Sequence, residues 1–471
     1  MTKTFRPALV RAVLVIGALI SPQGLSTPLG LAAGPDARIP EGLEGLSVPL
    51  QAPSAKGSPS SVRRLGLGEA LDIGLSDNLD LALARAEVQI ARGRRLAVQA
   101  RLFPSFEGAL RGRRRDGRVQ GSFGKLRDVT FNTFNDSVAL VYGANLGARL
   151  HEAFAERREM DASLLGALRA EQKLLLRVAE LYQNLLLTTA AVRIAEEVVS
   201  QDEQFLGIAR ARAEGGLGLG SDVARAQAKL AADRQELVTV RSMRDEVGME
   251  LAVALRLDLG VPIEPREASL EPLHFKLGGG PDAAVADLAA TRPDVRAARE
   301  RAEAARHHSA AARWELFSPE LRALFAWTAI GDEPADLDGR QDRGAALVWT
   351  ISPEEVGELR KRRAEQERAR LGSVRTEEAA RAEIMKMRRD LTAVIDRIPH
   401  TRSGLEAAEE NLRLSQARFR SGTAIALEVL DAENVRAEAR LGLARDIVAY
   451  NLSQIRLLAA TGLIDRSSFA P

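Results

Sequence analysis

The sequence contains no cysteine and few aromatic side chains, which make up 4% of its 471 residues. Without cysteine the chain can form neither a disulfide framework nor a thiolate metal site, and it cannot carry a lipid on an N-terminal cysteine. It also has no apolar run of 18 or more residues, so no segment predicts a membrane-spanning helix. These absences exclude the small disulfide-rich and the helical membrane classes of protein.

The chain also lacks a large excess of charge of either sign. Charged residues make up 28% of the chain, but the formal net charge is only +2, because 66 lysines and arginines are balanced by 64 aspartates and glutamates. Arginines are also interleaved with glutamates along the sequence. No basic block predicts a nucleic-acid-binding surface. The abundant residues are alanine, leucine, arginine and glutamate, a composition typical of long helices.

The N-terminal residues have the pattern of an export signal. Lys3, Arg6 and Arg11 precede the apolar run Ala12–Ile20, and a small-residue cleavage site follows at 31–33. A run of nine apolar residues is too short to span a bilayer as a helix. Residues 1–33 are therefore predicted to be a cleaved signal peptide, and the Pro-, Gly- and Ser-rich residues 34–64 a flexible leader.

The longest periodic segment runs from Gly147 to Arg212 and contains no proline. Its apolar residues recur at alternating steps of four and three, from Leu174 to Leu206, which is the period of a coiled-coil seam. A second apolar stripe, from Leu175 to Leu186, lies beside the first. The segment is therefore predicted to be one helix of roughly 100 Å that packs against neighbours on two flanks.

The chain repeats itself. Asp80–Phe103 and Asp294–Phe317 align with identical residues at eight of 24 positions, and later segments align in the same order at similar offsets. Each copy predicts a helix, a strand pair, a long helix, a glycine-containing turn and a returning helix. The predicted divisions are a first repeat at residues 65–280, a second repeat at 281–463 and a C-terminal tail at 464–471.

The predicted strands alternate apolar and polar residues after each first helix and end in aromatic residues. Polar loops at 114–130 and 331–343 are expected to separate the two members of each pair. The pattern fits outer-membrane barrel strands, although the strands alone also fit a half-buried soluble hairpin. On the membrane interpretation, five side chains are expected to face lipid: Leu110, Leu140, Tyr142, Phe325 and Trp327.

Four strands cannot close a membrane barrel, and open sheet edges are not tolerated in lipid, so closure requires several chains. At this point the sequence resembles the TolC-like outer-membrane efflux proteins. The resemblance covers about residues 65–463, and its motifs are Leu67–Leu71 leading into Asn78–Asp80, the counterpart Thr291–Asp294, Leu102–Pro104, and the paired turn segments Ala211–Ala226 and Ala417–Ala432.

The resemblance implies a mainly α fold with a small β part, in which a homotrimer with four strands per chain forms a transmembrane β-barrel continued by a coiled-coil α-helical barrel. It further implies an outer-membrane localisation with a long periplasmic portion, and contact with outer-membrane lipid. The implied function is a passive exit duct of a tripartite efflux or type I secretion system, which works with a periplasmic adaptor protein and an inner-membrane pump. The alternative is a periplasmic coiled-coil adaptor or structural protein without a pore, although an adaptor is expected to have a single helical hairpin flanked by β modules.

The turns at the ends of the long helices carry the candidate functional residues. Gly216, Gly422 and Phe419 lie at the two hairpin turns, and Asp222, Glu428 and Asp431 open the returning helices. The resemblance implies that these carboxylates surround the inner mouth of the tunnel. They also fit a local role, since carboxylates in a first turn offset the helix dipole. Family members often close the mouth with a tyrosine and a basic residue, whereas this chain has Phe419 and Ala424 there, so this polar lock is not expected.

Nothing in the sequence predicts catalysis. The five histidines are scattered, and the adjacent His307 and His308 are expected to be a solvated pair and not a metal site. The glycine-rich run 215–220 has no Gly-Lys-Ser/Thr after it, so it is not a phosphate loop. No catalytic residue, metal or cofactor is expected. Pro399 lies inside the second long helix and predicts a kink there.

Overall fold

The computed structural model describes residues 48–49, 62–120, 124–216, 218–275, 284–334 and 336–469. The predicted signal peptide lies outside these residues.

Two sets of four helices follow each other in the same order, which confirms the duplicated, mainly α fold. In each set a short helix and a medium helix precede the strands, and two long antiparallel helices follow them. The first set comprises α1 (Leu67–Asp77), α2 (Leu79–Ala100), α3 (Leu146–Glu214) and α4 (Gly220–Leu255). The second comprises α5 (Val285–Thr291), α6 (Pro293–Phe317), α7 (Pro353–Arg420) and α8 (Ala426–Thr461), and a 3₁₀ turn at Arg466–Phe469 ends the described chain.

Side-chain caps fix where the main helices begin. The Asn78 side chain accepts hydrogen bonds from the backbone of Asp80 and Leu81 at the start of α2, and Asn145 caps α3 through the N–H of Ala148. Ser352 and Glu355 form a reciprocal capping box at the start of α7. Each cap satisfies backbone donors that a helix leaves without partners at its N-terminus.

The central helix is α3, and both of its predicted stripes are buried over most of their length. It has 69 residues and packs against α2, α4, α6 and α8. Leu185 from the first stripe and Tyr182 from the second are fully buried. The Tyr182 hydroxyl donates a hydrogen bond to the carbonyl of Leu65 at 2.9 Å, so its one polar atom is satisfied within the core.

α7 continues through Pro399, so the proline does not end the helix. Its ring removes one backbone donor, but its neighbour Ile398 is buried in the core shared with α8. Packing on both sides of the proline holds the helix together.

One four-stranded antiparallel sheet connects the two halves. It contains β3 (Ser105–Gln120), β4 (Leu126–Ala144), β7 (Glu320–Glu333) and β8 (Asp336–Val348), in that spatial order. β4 pairs with β7 over 134–144 and 321–331, so the first half supplies one edge strand and the second half supplies the other. The strands are 13 to 19 residues long.

The expected polar loops at 114–130 and 331–343 are largely strand, which corrects the sequence prediction. Residues 114–120 pair with 126–132, and β8 occupies most of the second segment. The side chains there are charged and exposed, but backbone pairing does not depend on an apolar face. Both hairpins therefore continue well beyond their apolar parts, the first in unbroken register and the second with a register shift between Ile330 and Glu333.

Two small strand pairs link the segment before α1 to the segment between α4 and α5. β1 (Val48–Pro49) pairs antiparallel with β6 (Ser269–Leu270), and β2 (Arg63–Leu65) pairs parallel with β5 (Ile263–Pro265). β1 and the first two residues of β2 fall inside the segment 34–64, which was predicted as a flexible leader. That prediction is wrong for these residues, because their backbones pair with the fold.

Candidate functional site: the hairpin tips and the strand sheet

Each helical hairpin turns at a glycine in the left-handed region. Gly216 follows α3 with a φ of 73°, and Gly422 follows α7 with a φ of 77°. L-residues with a side chain seldom adopt this backbone conformation, which explains glycine at both turns. The structure thus places both predicted turn glycines at corresponding ends of the repeats.

The two tips of one chain pack on each other through an apolar cluster, which we call the tip cluster. The rings of Phe205 on α3 and Phe419 on α7 lie 5.2 Å apart between centroids, at an interplanar angle of 39°. Both side chains are buried. The other buried members come from all four long helices: Leu206, Ala226, Leu230, Leu412, Ala426, Val429, Leu430 and Ala432.

An arginine also joins the tips. Arg212 donates a hydrogen bond from Nη1 to the carbonyl of Phe419 at 2.8 Å, and its guanidinium carbon lies 4.6 Å from the centroid of the Phe419 ring. Phe419 lacks the hydroxyl that a polar lock needs, but its backbone oxygen and ring face bind the cation instead. This contact was not predictable from the sequence, because the two residues are 207 positions apart.

The three predicted aperture carboxylates occupy the starts of α4 and α8. Asp222 lies 4.0 Å from Arg225, and Glu428 lies 3.1 Å from Arg418. Asp431 is exposed, one turn beyond Glu428. Within the described part of one chain, no hydrogen bond or ion pair joins any two of these carboxylates, so a ring of them requires further copies of the chain.

A buried acidic group behind the tip cluster was not predicted. Asp202 on α3 is only 2% exposed, and neither carboxylate oxygen has a hydrogen-bond partner among the described residues. Burial, together with Asp233 on α4, raises the pKa of Asp202 to about 8. Lys229 pairs with Asp233, and Glu433 on α8 is also buried. The only sequence signal was a carboxylate at a seam position of the coiled coil.

The sheet register places the five predicted lipid-facing residues on one face, which we call the apolar face. Leu140 lies opposite Phe325, and Tyr142 lies opposite Ala323. Directly opposed residues share a face, as do residues two apart along a strand. Trp327 is two residues from Phe325 on β7, and Leu110 lies opposite Asp136, which is four residues from Leu140 on β4, so both also lie on this face.

The apolar face also carries charged residues that the sequence pattern did not reveal. Asp136 lies opposite Leu110. Arg343 on β8 lies opposite Phe325, with its guanidinium carbon 5.8 Å from the ring centroid. Stacking over an aromatic ring stabilises a cation on a largely apolar surface.

The histidines are less scattered than the sequence suggested. His151 on α3 and His307 on α6 bring their Nδ1 atoms to 3.2 Å, and the Phe154 ring packs on His307. His307 and His308 are half-buried, so the predicted solvated pair is wrong. The described residues contain no group of three potential metal ligands.

None of the helices described is both long and apolar enough to cross a membrane.

A family model described as outer membrane efflux protein matches residues 71–255. A search of the curated proteins found no match.

Several solved outer-membrane channels have the same fold. The CmeC outer membrane channel of Campylobacter jejuni superposes with a TM-score of 0.78 at 17% identity, covering 92% of this chain and 96% of that one. The open-state MtrE outer membrane channel of Neisseria gonorrhoeae gives a TM-score of 0.74 at 20% identity, covering 91% and 98%. CusC, whose structures concern folding and transmembrane channel formation, gives 0.76 at 19% identity, covering 91% and 99%.

Proposed function

We propose that the chain is a TolC-like outer-membrane efflux protein and that it is the passive exit duct of a tripartite efflux or type I secretion system. In this role the helices form a periplasmic tunnel and the strands cross the outer membrane. The family model that matches residues 71–255 is described as outer membrane efflux protein, which supports this role. The energy for transport then comes from an inner-membrane pump, which a periplasmic adaptor connects to the duct.

The observation that carries the proposal is an incomplete sheet with one apolar face. The sheet has four strands, and its outer strands β3 and β8 pair with no further strand among the described residues. A lipid-embedded sheet must close, because its edge N–H and C=O groups find no water there. A symmetric ring of identical chains supplies the missing strands, and three chains with four strands each make a barrel of twelve.

The helical tips supply the opposite end of the duct. The repeats place both glycine turns at one end of the long helices, and three copies of Asp222, Glu428 and Asp431 around one axis would line the periplasmic aperture. Clustered carboxylates attract cations and oppose the passage of anions. In each chain Arg212 and the tip cluster hold the two hairpins together next to this aperture.

Export of the chain is part of the proposal. It rests on the pattern at 1–33, in which basic residues precede a short apolar run. Cleavage of this segment would release the mature chain into the periplasm, where the helices can fold in water before the strands insert.

Cell fractionation followed by mild detergent extraction and native mass measurement tests this function. We expect the protein in the outer-membrane fraction, with the mass of three mature chains, and stepwise currents after reconstitution into a planar bilayer. A soluble periplasmic monomer that forms no channels would overturn the proposal. A trimer without conductance would support the assembly and reject the duct.

A further inference from the structure

The face of the sheet opposite the apolar face, which we call the polar face, carries a row of three arginines. Arg111, Arg113 and Arg115 are alternate residues of β3, so all three side chains lie on the polar face. Their cross-strand neighbours on β4 are neutral: Asn135, Thr133 and Phe131. The guanidinium carbon of Arg115 lies 6.0 Å from the centroid of the Phe131 ring, which places that side chain over its directly opposed neighbour.

These three arginines differ from the other arginines near them, because no ion pair joins them to a carboxylate among the described residues. On the apolar face of the same hairpin, Arg114 pairs with Asp116 at 3.0 Å and Arg118 pairs with Asp128 at 3.2 Å. On the polar face of the other hairpin, two arginines also have acidic partners, in the pairs Arg322–Glu320 and Arg340–Asp342.

Side chains two residues apart on one strand face are separated by roughly 6 to 7 Å. Three guanidinium groups at that spacing repel one another, and no carboxylate among the described residues forms an ion pair with them to offset the repulsion. An anion bound beside the row would offset this repulsion. Guanidinium groups bind phosphate and carboxylate oxygens in paired hydrogen bonds, which a row of three can share between neighbours.

We propose that Arg111, Arg113 and Arg115 form an anion-binding row on the channel-facing side of the sheet, and that solutes bearing phosphate or carboxylate groups bind there on their way out. The inference rests on the proposed function, since a ring of chains repeats the row around one lumen and turns it into a ring of positive charge. The duct then carries opposite charges at its two ends, with carboxylates at the tips and arginines in the strands.

Planar-bilayer recording tests the row with inorganic pyrophosphate added on the strand side. The test variant is the triple change Arg111→Gln, Arg113→Gln, Arg115→Gln. We expect pyrophosphate to block the wild-type channel, and the triple variant to need at least about tenfold more for half-block, because a charged lumen raises the local counter-ion concentration by that order. The variant is also expected to be more cation-selective in a salt gradient.

The matched control is the double change Arg114→Gln, Arg118→Gln, which removes paired arginines from the other face of the same strand. It is expected to leave the block unchanged. Equal block in wild type and triple variant would overturn the inference while the duct itself stands, and an equal loss in both variants would assign the block to the general charge of the hairpin and reject the row. Absence of any channel in the wild type would instead reject the proposed function. If the triple variant fails to assemble, Arg113→Gln alone is measured, and an unchanged half-blocking concentration rejects the row.

Discussion

Arg212 and Phe419 are in contact twice, through a backbone hydrogen bond of 2.8 Å and through the stacking of the guanidinium on the ring at 4.6 Å. Arg212 lies in the last turn of α3 and Phe419 in the last turn of α7, so the pair joins the two repeats of one chain next to the proposed aperture. The ring is buried in the tip cluster, and a partly desolvated cation–π contact contributes about 1 to 2 kcal/mol.

Replacing Arg212 with glutamine is expected to loosen the two tips. The variant loses the stacking and the charged hydrogen bond, together about 1 to 3 kcal/mol of tip packing. The single-channel conductance of the reconstituted trimer should therefore rise. Arg210→Gln is the matched control, because Arg210 is exposed one half-turn away and has no partner among the described residues. Equal conductance in both variants would show that the contact does not restrain the aperture.

The double change Glu428→Ala, Asp431→Ala is expected to reduce cation selectivity and block by multivalent cations added on the tip side. Both effects depend on carboxylates clustered around one constriction. Reversal potentials in a salt gradient measure the selectivity. The control Glu406→Ala, Glu410→Ala removes the same charge from exposed ion pairs on α7 and should change nothing. If the tip variant keeps wild-type selectivity, its carboxylates act only at the helix starts.

An arginine in place of Leu110 tests which face of the sheet meets lipid. Leu110 is 83% exposed in the single chain, and a charge at mid-membrane on a lipid-facing strand costs about 2 to 4 kcal/mol. We expect a lower yield of assembled trimer in detergent extracts. Ala109→Arg places the same charge on the polar face of the same strand and should assemble normally. Equal tolerance at the two positions would indicate a soluble hairpin.

The buried Asp202 predicts that stability falls as the pH rises from acid to neutral. Because the fold raises the pKa of Asp202 from its ordinary value to about 8, the stability that the protonated group contributes is fully present below the ordinary carboxyl pKa, decreases between the two pKa values, and is lost once the pH has risen through about 8. The melting temperature should therefore drop between about pH 4 and 8 and level off above that range, and Asp202→Asn should flatten the drop. Glu203→Gln, which breaks an exposed ion pair with Arg234, should leave it unchanged. An equally steep drop in Asp202→Asn would assign it to other groups.

The contact between His151 and His307 predicts an effect at acid pH. Burial, and then the charge of Arg313, lowers the pKa of His151; burial, and then His151 itself, lowers the pKa of His307. Since both values are lowered, the stabilisation is present above the ordinary histidine pKa and is lost as the pH falls through the lowered values. Melting temperatures between about pH 7 and 5 measure this loss, and His307→Asn should reduce it. A steeper loss in that variant would contradict the assignment.

The sequence predicted the elements that follow from local periodicity. The predicted helix Gly147–Arg212 differs from α3 by one residue at its start and two at its end, because both apolar stripes are continuous and glycines follow the helix. The repeat predicted the order of elements in the second half from that in the first. The predicted fold was confirmed by the likeness to solved outer-membrane channels, and a family model described as outer membrane efflux protein matches residues 71–255.

Contacts between distant segments were not predictable from one sequence. Arg212 meets Phe419, and His151 meets His307, only because the repeats fold against each other, and periodicity along one helix contains no information about its partner. The prediction of strand length was wrong for a different reason. The alternation of apolar residues stops before residues 114–120, which predicts a loop there, although backbone pairing continues through them.

The helices can complete their packing within one chain, whereas the four-stranded sheet cannot, and this difference constrains how the protein assembles. A single chain can bury the stripes of α3 in water, but β3 and β8, of 16 and 13 residues, each have one edge that pairs with no strand among the described residues. Such edges pair with any extended chain they meet, which makes a waiting subunit prone to aggregation. We therefore expect the rate at which channels appear in a cell to rise steeply with the concentration of folded subunits, and a shortage of subunits to lead to degradation of the chain.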